Sequence, residues 1–114
     1  MKQIILLVLI LMYGCKQRLP SVPSEIIPMQ TMIQVFTEIH IAEAVAETKA
    51  QKGEQENKLT LQYHTQILKN FNIKSEDFAK SFKFYEENPI LMDEMYAKVL
   101  VETSKRAAKV ANDK

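Results

Sequence analysis

The sequence predicts an all-α fold, a small irregular bundle of about four helices that follows a cleaved signal peptide and an extended tether. Apolar side chains recur at intervals of three and four residues over four segments, as on the buried face of a helix. No segment alternates apolar and polar residues as a half-buried strand does. The 114 residues are enough for one domain.

The predicted helices are separated by residues that start or stop helices. Pro28 and Pro89 suit first helical positions, because the missing N–H would have no partner there. Ser75 and Asn88 are typical N-cap residues. A polar loop with the only glycine after Gly14 separates the first two helices. We therefore predict two long and two short helices, at about 28–49, 58–71, 76–87 and 89–110.

The first fourteen residues are typical of a secretory signal peptide. Lys2 precedes ten consecutive apolar residues, 4–13, and Gly14 and Cys15 follow directly. Ten residues of helix span about 15 Å, roughly half the hydrocarbon core of a bilayer, so this segment is too short to cross a membrane. We predict that residues 1–14 are removed as a signal peptide.

The residues before the single cysteine resemble the lipobox of bacterial lipoproteins, in which the signal is cut directly before a cysteine. The resemblance covers residues 12–15, with Met12 where leucine is usual and Tyr13 bulkier than the usual residue. It implies a diacylglyceryl thioether and an acylated amino group on Cys15, which anchor the chain in membrane lipid through palmitate-type chains. An ordinary signal peptide that leaves an unused thiol is the alternative.

The residues directly after Cys15 indicate which membrane would hold the lipidated chain. Lipoproteins kept at the inner membrane often carry aspartate directly after the cysteine, and some surface-exported ones carry an acidic run there. This chain has Lys16, Gln17 and Arg18 instead. The resemblance therefore implies a place in the cell envelope, in the outer membrane and facing the periplasm.

The mature chain is expected to have three parts. Residues 15–27 form the lipid anchor and tether, because Pro20 and Pro23 disfavour a helix there. Residues 28–110 form the helical domain, and residues 111–114 a frayed tail. The formal net charge of +1 argues against nucleic-acid binding. A single cysteine excludes an intramolecular disulfide and a thiolate zinc cage.

Two histidines project toward apolar seams of the predicted bundle. His40 and Glu43 share the stripe of the first helix, and His64 lies at the centre of the stripe of the second. In an antiparallel hairpin the depths of the two histidines differ by about one turn. The three residues are candidates for a two-His, one-carboxylate metal site or a proton relay. The simpler reading is two histidines at the core edge, each paired with a carboxylate or carbonyl group.

Methionines recur with Met-x-x-Met spacing at residues 29–32 and 92–95. Such thioethers bind Cu(I), but methionine at helical spacing is more often adaptable core filler. No nucleophile constellation and no phosphate-binding loop is apparent, so we predict no catalytic residue, no cofactor and no resident metal.

Three stretches resemble a domain-of-unknown-function family of small helical Bacteroidetes lipoproteins. The resemblance spans roughly residues 26–102 and implies a lipid-anchored helical domain with no known activity. The stretches that carry it are residues 38–44, then Phe78 with Ser81 and Tyr85, then Asn88 and Pro89 followed by Met95, Tyr96 and Val99.

Together these observations predict a non-enzymatic module that contacts another envelope protein. Phe84 is a candidate exposed aromatic for that contact, and a helix with two core-facing sides explains it equally well. The alternative is a lipoprotein that binds a small ligand or a metal through His40, Glu43 and His64. A hydrolase or isomerase is the third possibility, and no residue pattern favours it.

Overall fold

A computed structural model describes residues 1, 3–5, 18–50 and 55–113. Four helices of twelve or more residues lie in these ranges, which contain no strand. The predicted all-α bundle of two long and two short helices is confirmed, and each predicted boundary lies within two residues of the observed one. The helices are α1 (Met29–Ala50), α2 (Glu56–Asn70), α3 (Ser75–Glu86) and α4 (Pro89–Asn112).

The lipidation site and most of the predicted signal peptide fall on residues that the structure does not describe. Cys15 lies outside the described residues, and so do residues 51–54 of the predicted loop between α1 and α2. Within the described part of the chain, no helix is both long enough and apolar enough to cross a bilayer.

The main core lies where the first half of α1 meets α3 and the first half of α4. Met32, Tyr85 and Met95 are completely buried in it. Burial of each large apolar side chain contributes about 1.5–3 kcal/mol. One methionine of each Met-x-x-Met repeat is therefore core filler, as its helical spacing indicates. The buried members of the main core are Ile26, Met32, Ile33, Phe36, Tyr85, Leu91, Met95 and Val99.

A second, smaller cluster joins α1 to α2. Val35 and Ile39 of α1 pack there with Ile67 of α2. Phe78 of α3 contacts both clusters, and its ring centroid lies 5.7 Å from that of Phe36. Phe78 thus holds the short helix α3 against the rest of the bundle.

The connection between α2 and α3 is a tight turn with one left-handed residue. Asn72 has φ of 55°, and its N–H donates to the Lys69 carbonyl. The Ile73 N–H donates to the Leu68 carbonyl, and both of these side chains pack against the second cluster. This is the Schellman arrangement, which supplies partners for the last carbonyl groups of a helix.

The predicted N-cap of α3 is wrong by one residue. Ser75 is the first helical residue, and Lys74 is the N-cap with extended backbone. The reason is that the Phe78 N–H already donates to the Lys74 carbonyl, so helical hydrogen bonding begins at Lys74. Asn88 is the N-cap of α4, with Pro89 in its first turn, as the sequence indicates.

The end of the predicted tether packs on the helices. Ile26 is only 5% exposed, and Val22 and Ile27 contact the main core. The Ile27 N–H donates to Ser81 Oγ at 2.9 Å, and the Tyr85 hydroxyl donates to the Ile27 carbonyl at 2.7 Å. Both polar backbone groups of Ile27 thereby gain partners from α3. Residues 18–21 are exposed, and Val22 is the first residue of this segment that packs against the main core.

Candidate functional site

The α1–α2 interface brings His40, Glu43 and His64 together. Glu43 Oε1 lies 3.4 Å from His64 Nε2 across the interface, and Glu43 Oε2 lies 3.8 Å from His40 Nδ1 within α1. One carboxylate therefore faces two imidazoles, an arrangement that the sequence left open. The side chains of His40 and Glu43 are 43% and 46% exposed, so the cluster lies at the surface end of the seam.

The contacts in this cluster are loose. Both distances exceed the 2.7–3.2 Å range typical of N–H···O hydrogen bonds. The His64 Nε2 atom is buried and makes no hydrogen bond to the described residues. When the imidazoles are protonated, the contacts are partly exposed ion pairs, each worth about 0–1 kcal/mol.

In this cluster the two imidazoles share one carboxylate, that of Glu43. Among the described residues, no group of three or more His, Cys, Asp or Glu side chains is placed to hold a metal ion. The Glu-x-x-His signature of dinuclear sites is also missing from the sequence, because Thr37 and Leu61 stand three residues before the two histidines.

An open apolar groove lies beside the cluster, between the second halves of α1 and α4. It has a cavity volume of about 680 Å³. Val45 and Val110 stand in its walls with 42% and 60% of their surfaces exposed. The described residues that line it include His40, Lys49 and Arg106 and no acidic side chain.

Both cations of the groove have partners on neighbouring elements. Arg106 forms an ion pair with Glu38 of α1, and Lys49 Nζ donates to the Tyr63 hydroxyl at 3.0 Å. Arg106 thus reaches across to α1, while Glu94 and Lys98 of α4 pair with each other at 3.0 Å.

The hydroxyl groups of Ser81 and three threonines near the groove and the cores form hydrogen bonds with backbone groups. Thr37, Thr48 and Thr103 each donate to the carbonyl four residues earlier in their own helix. Ser81 accepts the Ile27 N–H. These hydroxyls therefore have structural partners rather than an adjacent general base.

The interpretation of Phe84 as an exposed aromatic is wrong. Its side chain is half-buried against the main core, and its ring meets that of Tyr85 edge-on at a centroid distance of 5.3 Å. Phe84 and the Phe78 stripe occupy different sides of α3, so this helix packs apolar groups on two sides. That was the other explanation left open by the sequence.

The groove is the feature that sequence reasoning missed. One indication was present, because Thr103 and Ala107 continue the stripe of α4 beyond the buried Val99. The stripe alone does not tell whether α1 still covers these residues. That depends on the divergence of the two helices, which only the tertiary structure gives.

Comparison with known proteins identifies one family. The family model described as "Domain of unknown function (DUF4296)" matches residues 23–109. The predicted resemblance to a domain-of-unknown-function family is thereby confirmed. No curated protein and no solved structure gives a significant match to the chain.

Proposed function

The chain belongs to the DUF4296 family, and from that premise we propose that it is a lipid-anchored module of the cell envelope that contacts another protein. The observation that carries the proposal is the N-terminal sequence. A lysine, ten apolar residues, Gly14 and Cys15 stand in the order typical of a lipoprotein signal. The family model begins at residue 23, C-terminal to this leader and to the exposed residues 18–21.

Lipidation of Cys15 accounts for the one thiol of an exported chain. Each buried methylene of an acyl chain contributes about 0.8 kcal/mol, and two or more chains hold a protein stably on a membrane. The anchor would lie in the outer membrane with the helical domain in the periplasm, since no acidic residue follows Cys15 at positions 16–18.

A binding role suits the polar groups better than catalysis does. The serine and threonine hydroxyls named above hydrogen-bond to backbone groups, and Glu43 is the partner of both histidines. An activated nucleophile needs a hydroxyl or thiol in contact with a general base. The open apolar groove, in contrast, is a surface of the kind that recognises helical segments.

Labelled palmitate tests the anchor. We expect the full-length chain to incorporate label in the producing bacterium, and the Cys15→Ser variant to remain a full-length precursor without label. The double variant Cys15→Ser, Ser21→Cys is the matched control, because it keeps one thiol in the tether but moves it away from the lipobox. Label in either variant would contradict the proposal.

Binding of a metal or small ligand at His40, Glu43 and His64 is the second candidate function. The buried His64 Nε2, which lacks a hydrogen bond to the described residues, is the observation that favours it. Stoichiometric zinc or copper on purified protein, lost in His64→Gln and retained in the surface control Gln62→Ala, would support this candidate. Less than one equivalent after metal supplementation would exclude a metal site.

A further inference from the structure

We draw no further inference here: the strongest candidate, the open apolar groove between the second halves of α1 and α4, carries none, because Lys49 and Arg106 in its walls already have partners and nothing in the structure shows what covers it.

Discussion

Tyr85 joins the segment before α1 to the core. Its ring is completely buried, and its hydroxyl donates to the Ile27 carbonyl. The sequence predicts that Tyr85 and Ser81 lie on the packed stripe of α3, from the spacing of Phe78 and Phe82. It does not predict their partner, because the two hydrogen bonds join residues 54 and 58 positions apart and depend on how the helices assemble.

Removal of the Tyr85 hydroxyl tests this connection. We expect Tyr85→Phe to lower the free energy of unfolding by about 0.5–1.5 kcal/mol, since the Ile27 carbonyl loses its partner while the ring stays in place. Urea denaturation followed by circular dichroism measures the change. Tyr63→Phe, at a half-exposed position on α2, is the control and should cost less. Equal losses in the two variants would argue against a special role for Tyr85.

Ionisation of the same hydroxyl is expected to lower the stability of the folded state at alkaline pH. Desolvation by burial raises the pKa of Tyr85 above its ordinary value of 10.0. The folded state therefore binds this proton more tightly than the unfolded state does, and the resulting stabilisation is complete below pH 10 and is lost as the pH rises through the folded-state pKa. We expect the unfolding free energy of the natural chain to fall more steeply above pH 10 than that of Tyr85→Phe. Parallel curves for the two proteins would contradict this explanation.

The four helices show how far local rules determine an element. Pro28 and Pro89 locate the starts of the two long helices to within one residue, because the geometry of proline acts locally. Ser75 fails as a cap since Lys74 already accepts the first helical hydrogen bond of α3. An N-cap side chain stabilises a helix by only about 1 kcal/mol, so the geometry of the preceding turn can outweigh this contribution.

The turn between α2 and α3 offers a test at the scale of an element. Asn72 adopts the left-handed conformation that glycine takes without steric cost and β-branched residues strongly disfavour. We expect Asn72→Gly to leave the melting temperature nearly unchanged and Asn72→Val to destabilise the fold by about 1–2 kcal/mol. The exposed neighbour Lys74→Val is the control for the added β-branched side chain. An unchanged melting temperature in Asn72→Val would show that the turn is not needed to hold α3 on the bundle.

Over the whole molecule, one end holds the tether and the other end carries the groove. A count of residues in an antiparallel hairpin gives His40 and His64 similar depths, but whether their side chains and Glu43 meet depends on the tertiary structure. The groove between the second halves of α1 and α4 could not be predicted from the sequence. It forms because the two helices diverge beyond the main core that their first halves share. The packing of Ile26 and Ile27 before α1 could not be predicted either, because Pro20 and Pro23 are typical of an extended tether.

The proposed anchor at Cys15 would keep the helical domain close to the membrane. Because the packed segment begins at Val22, only residues 15–21 would span the gap, and they reach at most about 24 Å. This distance therefore depends on the chemical state of Cys15.

The mass of the N-terminal tryptic peptide of the protein extracted from membranes tests the proposed lipidation of Cys15. Trypsin cuts after Lys16, so we expect a two-residue peptide of Cys15 and Lys16 that carries a diacylglyceryl thioether and an acyl group on its amino nitrogen. An N-terminal peptide that begins at any other residue, or one with an unmodified Cys15 thiol, would refute lipidation.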